Sequence, residues 1–310
     1  MKIYTDIDAF EGVEYPVVTM GTFDGLHLGH QKIISDLIAT AKKDGGETVV
    51  ITFDPHPRIV LRLDSYNLKF INTQEEKIEL LQDFGIDHLI IIPFTLEFSK
   101  MSSAEFVKQI LVYRIRAKKL IIGYDHHFGN QREGNYQRLK ELGGSYGFEV
   151  KEIPAQLIDE IAVSSTKIRK ALENGSVKKA NDFLGYKFSI FGKVIPGNRI
   201  GTGIGFPTAN IDVEDPYKLI PYIGVYAVKA LVRGRIYQGM LNIGFRPTIN
   251  TTQKESIEIN IFDFDDNIYG DYITIYFYER IRDEKKFDTL NMLKAQLVKD
   301  RQSTLKILNS

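Results

Sequence analysis

Hydrophobic positions along the chain change their period once. From residue 16 to about residue 153, short apolar runs alternate with longer amphipathic stretches. The runs fall at 17–20, 48–53, 88–92, 119–122 and 148–153. Between them, 31–43, 73–84, 102–114 and 134–147 carry helical spacing, as Ile78, Leu81 and Phe84 illustrate. Strands alternating with helices predict βαβ units, a parallel sheet and right-handed crossovers. After about residue 185 the period falls to two. YKFSIFGKV, GVYAVKALV, SIEINIFDF and YITIYFYER alternate and are rich in Tyr, Phe, Ile and Val, with turn signals PGN, VRGR and DFDDN between them. That series predicts a small antiparallel barrel or sandwich. Apolar residues at 290, 293, 297, 305 and 308 fit one amphipathic helix closing it. A linker near 174–185 separates the halves, so the expected domains are 1–184 and 185–310.

Composition narrows the picture. A chain of 310 residues has room for two domains, each with its own core. Forty basic residues balance forty acidic ones. No whole-chain field favours a polyanion, so nucleic acid is not an expected partner, and Lys118-Lys119 and Lys178-Lys179 read as solvated faces. Cysteine is absent, which excludes disulfides and thiolate metal sites. The first residues, MKIYTDIDAFEGVEYP, lack the apolar core of a signal peptide, and no apolar run approaches the ~20 residues that span a bilayer. A cytoplasmic protein without a membrane partner is the expectation.

The chemistry starts at GTFDGLHLGH, residues 21–30, between the apolar run PVVTM and the helical stretch QKIISDLIATAKK. A strand, a glycine-rich turn and a helix start form a natural anion site, because unpaired N–H groups and the positive dipole end face the ligand. Gly21, Gly25 and Gly29 allow positive φ or close approach. His27 and His30, three apart, share a face of a helix starting near them. A zinc pair is the weaker reading, since no third ligand sits at helical spacing. Three further clusters follow. TFDPHP (52–57) stiffens a turn with Pro55 and Pro57, as a wall against a flat ligand needs. GYDHHFGNQREG (123–134) offers Asp125 to a ribose or base, and the adjacent His126 and His127 cannot both face it. VSSTKIRKAL (163–172) supplies Ser164, Ser165 or Thr166 as a cap and Arg169, one turn in, as a planar fork for outer phosphates.

GTFDGLHLGH is similar to the H-x-G-H signature of nucleotidylyltransferases, in the form found in bacterial FAD synthetases. With the other three clusters, in this order, it resembles the adenylyltransferase module of bifunctional bacterial riboflavin kinase/FAD synthetases. The resemblance implies a Rossmann-like α/β domain that joins FMN and ATP to give FAD and pyrophosphate. Its expected ATP-binding residues are Gly21, Phe23, Asp24, Gly25, His27, His30, Asp125, Ser164, Thr166 and Arg169, with His27 and His30 catalytic as donors to phosphate oxygens. Pro55 and Pro57 are expected beside the flavin.

In the second half, GNRIGTGIGFPTAN (197–210) has glycines at 197, 201, 203 and 205, whose loop amides can close over phosphates. Thr208 and Asn210 present a hydroxyl and a carboxamide on one side of an extended segment, as hard oxygen ligands for Mg²⁺. PTAN resembles the metal and phosphate motif of riboflavin kinases, and IGVYAV, GMLNIGFRPT and IEINIFDFDDNIYG resemble later segments of that family. The resemblance implies a β-barrel kinase domain in which Gly197, Gly201, Gly203, Gly205, Thr208 and Asn242 bind ATP. Asn210 and Glu258 are catalytic in it, Glu258 as the general base for the ribityl 5′-hydroxyl. Arg282 and Phe287, near the closing helix, are expected to border the flavin. Many relatives carry a basic residue where this chain has Thr202, and His where it has Asn260. Asp263, Asp265 and Asp266 read as a hairpin turn rather than a cation site.

The expected reading is an enzyme of flavin cofactor biosynthesis that turns riboflavin into FMN and FMN into FAD, using ATP and Mg²⁺ at two sites. Its partners are these small molecules, and its assembly state a monomer or weak homo-oligomer. The nearest rival is a chain in which only one module works; adenylyl transfer to another small phosphate and a flavin- or nucleotide-sensing protein on the same scaffold are two more, though a sensor has no need of a general base.

Overall fold

A computed structural model describes residues 1–63, 68–124, 126–154, 163–197, 201–246 and 254–310. Packing divides the chain into two compact units, Met1–Ser165 and Thr166–Ser310.

The first unit is built on six strands, β1 (Lys2–Tyr4), β2 (Pro16–Met20), β3 (Glu47–Asp54), β4 (His88–Pro93), β5 (Lys119–Gly123) and β6 (Glu149–Ile153). They form one parallel sheet in the order β1-β4-β3-β2-β5-β6. The helices are α1 (Leu28–Asp44), α2 (Pro57–Val60), α3 (Gln74–Asp83), α4 (Ser103–Phe106) and α5 (Tyr136–Tyr146). Alternate strand residues face opposite ways, so the sheet carries two cores. Val17, Val50, Leu89, Ile91 and Ile121 pack with Ile33, Ile34 and Leu37 of α1 and Leu81 of α3. Val18, Val49, Ile51, Ile90, Leu120 and Ile122 pack with Phe106, Val107, Ile110, Leu111 and Leu139 on the other side. Strand order reverses between β2 and β5, where ligands of such sheets bind beyond the strand ends. The loop after β2 is residues 21–27.

Two details differ from the expected pattern. β1 lies outside the apolar runs, because three residues held by pairing with distant β4 leave no local period. The stretch predicted as one helix over 102–114 is α-helical only through Phe106 and continues as a π-helix, Val107–Arg114.

The second unit is a closed barrel in the order β10-β11-β8-β7-β12-β9, antiparallel throughout. Its strands are β7 (Ser189–Ile195), β8 (Ala209–Asp212), β9 (Gly224–Val232), β10 (Arg235–Arg246), β11 (Lys254–Ile261) and β12 (Tyr272–Arg282). Leu241, Ile243, Ile257, Ile259 and Ile211 are buried on one face of β10, β11 and β8. On the opposite face Met240 joins Phe206 and Phe262, against Leu297 and Leu305 of the last helix, α8 (Leu290–Leu308). Helix α8 also buries Asp300, whose carboxylate is clasped by Arg282 at 2.7–3.1 Å and by Gln296 at 2.9 Å.

Helices α6 (Ser165–Glu173) and α7 (Val177–Leu184) lie between the two patterned halves. The sequence boundary after residue 184 assigns them to the first half, whereas their packing assigns all but Ser165 to the barrel unit. Asn181, buried on α7, donates to Phe277 O at 2.9 Å and accepts from Phe188 N at 2.7 Å, which ties α7 to β12 and the start of the barrel.

Candidate active sites

The first site forms where β2 ends. Its loop is conformationally strained: Phe23, Gly25 and Leu26 have φ of 50°, 87° and 35°. Only one of the three is a glycine, and a Cβ on Gly25 would also meet Ile71 Cδ1 at 2.8 Å. Gly21 and Gly29 do not have positive φ, and Gly29 is buried within α1. His27 is the N-cap of α1, its Nδ1 accepting from His30 N at 3.3 Å. An accepting Nδ1 leaves the ring proton on Nε2, so His27 keeps a donor. The rings of His27 and His30 stack at 3.7 Å and 13°, on the common face that their spacing predicts.

Burial holds the His27 imidazole down at about 4. His30 is also held well below the usual range, first by burial, then by the charges of His27 and Lys77. Both rings are therefore neutral at pH 7. Neutral imidazoles at a helix start are hydrogen-bond donors for an anion rather than its counter-ions.

Other expected residues of this site have distinct surroundings. Phe23 is 3% exposed, belongs to the core and meets His30 edge-on at 5.4 Å. Asp24 is buried and acts as a brace: its Oδ1 accepts from Ile71 N at 2.8 Å and its carbonyl from Ser165 Oγ at 2.8 Å. That second bond brings the VSST segment to the loop after β2. Pro55 is exposed at the end of β3, and Pro57 starts α2, capped by His56, whose ring lies 4.3 Å from that of Phe70. Thr166 and Arg169 belong to the second unit and meet each other at 3.4 Å. Asp125 lies outside the described residues. His126 and His127 part as expected, the first half-buried and held at about 4 by burial, the second exposed.

The second site is a row across the barrel wall. Asn242 on β10, Glu258 on β11 and Asn210 on β8 are directly opposite one another in register. Directly opposed residues point to the same face, about 4.5–5.5 Å apart at Cβ. This is the face of Met240, not that of the buried isoleucines, so the alternation read around Glu258 has its counterpart in the barrel. Gly197 lies against Asn210, where a Cβ would fall 1.8 Å from Nδ2. Asn260 Nδ2 donates to Pro207 O at 2.6 Å and so fixes the turn that leads into Thr208 and Asn210. Gly203 and Gly205 are exposed. The backbone of Gly201 lies in a short 3₁₀ turn, Gly201–Ile204, and Gly205 has φ of 85°.

Thr208 also lines a cavity of about 240 Å³ with Val194, Ile259, Ile261, Phe264 and Tyr269. The hairpin 263–270, which reads as a plain turn in sequence, thus forms the wall of a partly apolar cavity beside PTAN. Arg282 and Phe287 come together, the guanidinium 5.9 Å from the ring centre, but the fork of Arg282 is engaged by Asp300.

Residues 11–167 match the family model for FAD synthetase and residues 184–308 that for riboflavin kinase. A Listeria monocytogenes protein described as a bifunctional riboflavin kinase/FMN adenylyltransferase is 40% identical over 93% of this chain and 91% of its own. Its Bacillus subtilis counterpart is 37% identical over 95% and 93%. The chain belongs to the bifunctional riboflavin kinase/FMN adenylyltransferase family. A crystal structure described as a macrolide-efflux protein from Streptococcus pneumoniae superposes with a TM-score of 0.86 at 30% identity over 98% of both chains. Among the described residues, no helix is long and apolar enough to cross a membrane.

Proposed function

We propose that the barrel unit phosphorylates riboflavin to FMN and the α/β unit adenylylates FMN to FAD, each with its own ATP. The observation that carries this reading is the division of chemistry within one chain. A stacked histidine pair at a helix start lies in one compact unit and an opposed Glu–Asn pair on a barrel wall in the other. Family membership supports both activities.

In the adenylyl transfer, an FMN phosphate oxygen attacks the α-phosphorus of ATP in line and the bond to the bridging oxygen breaks, releasing pyrophosphate. No protein nucleophile is needed; positioning and charge neutralisation suffice. Neutral His27 and His30 donate to phosphate oxygens, with the hydroxyls of Ser164 and Ser165 on the leaving pyrophosphate. In the kinase step, Glu258 takes the proton of the ribityl 5′-hydroxyl as that oxygen attacks the γ-phosphorus and ADP leaves. The cavity beside Thr208 suits the base of that ATP, with Phe264 and Tyr269 among its lining and room for part of a ligand.

Mg²⁺ fits the kinase site. Thr208 and Asn210 offer a hydroxyl and a carboxamide, both hard oxygens, and no cluster of three acidic or imidazole ligands exists among the described residues. So sparse a donor set matches an ion that keeps waters and takes phosphate oxygens for the rest. Bound there, it would offset the charge on the transferring phosphoryl group.

Two variants separate the sites. His30→Ala is expected to lower FAD formation from FMN by at least about 10²-fold with the kinase step intact. Glu258→Gln is expected to abolish FMN formation while supplied FMN still becomes FAD. Equal loss of both steps in either variant overturns the assignment. The reading also places the protein in the cytoplasm, free of nucleic acid and membrane, as a monomer or weak homo-oligomer.

A further inference from the structure

The α/β unit buries a lysine that the mechanism above does not use. Lys77, on α3, is 5% exposed. Its ammonium has three donors and one hydrogen bond among the described residues, to Gln74 Oε1 at 3.1 Å. No carboxylate lies within ion-pair distance of it among those residues; Asp24 and Asp54 favour its charge from farther off, while burial opposes it. A buried ammonium so sparsely met is costly unless something else completes its shell.

The groups around it are incomplete in the same way. Gln74 Nε2, His30 Nδ1 and Thr52 Oγ1 are buried and have no hydrogen-bond partner among the described residues. They converge by topology. Thr52 follows Val50 by two on β3 and so faces the side of the sheet that α1 and α3 cover. His30 stands in the first turn of α1, Gln74 and Lys77 in the first turns of α3, and the charge of Lys77 is felt at His30. Native proteins leave few buried polar groups unpaired, and polar groups with free hydrogen-bonding capacity beside one cation are suited to an anion.

We propose that Lys77, Gln74 and Thr52 form a phosphate-binding subsite next to His30, which takes a phosphoryl oxygen of ATP or of FMN during adenylyl transfer. The inference rests on the adenylyltransferase reading of this unit and gives it the buried cation that two neutral imidazoles do not supply. In a water-poor site, one such charge acts at close to full strength on an oxygen that gains charge as the reaction proceeds.

The test uses the full chain and follows FMN to FAD at varied ATP and FMN, with riboflavin phosphorylation measured alongside. Lys77→Met is expected to cut kcat/KM for adenylyl transfer at least about 30-fold, and Lys77→Arg to recover part of it. The kinase step is expected to stay within twofold in both. A rise in KM confined to ATP assigns the subsite to the nucleotide; one confined to FMN assigns it to the flavin phosphate. Adenylyl transfer by Lys77→Met within twofold of the unsubstituted protein overturns the proposal. If that variant does not fold, as circular dichroism will show, Gln74→Met is read in its place, and an unchanged KM for both substrates overturns it. Failure of the unsubstituted protein to make FAD from FMN is a different result, which sinks the adenylyltransferase reading itself.

Discussion

Acid should loosen one half of this protein and spare the other. All six histidines, at 27, 30, 56, 88, 126 and 127, precede residue 166, so the barrel unit contains none. His27 is 7% exposed, and burial holds it at about 4, against about 6.5 in an unfolded chain. Between those values the unfolded chain binds a proton that the folded chain refuses, so stability rises with pH there and falls on acidification. The contribution is fully present above about pH 7. By pH 5 this single imidazole costs about 2 kcal/mol, and a further loss follows as the pH nears 4. His126, also held at about 4 by burial, and His30 act in the same direction. His27 and His30 stack, so their losses are not independent. For a unit of this size, 2 kcal/mol lowers the melting midpoint by about 4–8 °C. Scanning calorimetry at pH 7 and pH 5 reads this, with the fragments released by proteolysis at each midpoint identifying the unit that has melted. The expected result is a fall of at least about 4 °C for the α/β unit, a barrel that moves far less, and a smaller fall in His27→Gln. An α/β midpoint that does not move, or a His27→Gln protein with the full pH dependence, would refute the reasoning.

Three further outcomes follow from the barrel. Asp300→Ala leaves the fork of Arg282 without its carboxylate on the inner side of α8 and is expected to destabilise the barrel by about 3–5 kcal/mol, read as a lower melting midpoint. Gly197→Ala sets a Cβ 1.8 Å from Asn210 Nδ2, and the carboxamide, at the end of a side chain, is the part that gives way. Riboflavin phosphorylation is expected to drop at least about tenfold with the midpoint nearly unchanged, whereas FAD formation from FMN stays as it was. Asn260→Ala removes the 2.6 Å bond to Pro207 O; a loss of about 1–2 kcal/mol corresponds to a rise of about 5- to 30-fold in the kinase KM for ATP, and Michaelis kinetics that match the parent protein would show that the turn holds itself.

Most elements were legible because their signals are local. The run 17–20 became Pro16–Met20, GVYAVKALV became β9 residue for residue, and the closing helix spans Leu290–Leu308 as its apolar spacing predicts. Failures have two physical causes, dependence on distant partners and local turns that spacing does not distinguish. β1 exists through its pairing with β4, and the π-helical turns of Val107–Arg114 leave no distinct spacing in the sequence. At the sites, His27 and His30 are close in sequence, so their common face could be read from their spacing, and the structure adds that the rings stack. The row Asn242–Glu258–Asn210 could not, since register across three strands is set by the whole barrel. Lys77 was invisible for a related reason: on an amphipathic helix a lysine reads as part of the solvated face, and only the fold shows it 5% exposed. Asn260 stood out as a departure from the family pattern, and its bond to Pro207 O gives that departure a place in the site.

The central claim is that two separate sites in one chain carry riboflavin to FAD in two steps. Incubation of the purified protein with riboflavin, ATP and Mg²⁺, with riboflavin, FMN and FAD resolved by chromatography over time, tests it most directly. The expected result is a transient of FMN followed by FAD. FMN that accumulates without FAD would contradict the assignment of the α/β unit, and no product at all, even from supplied FMN, would contradict the account as a whole.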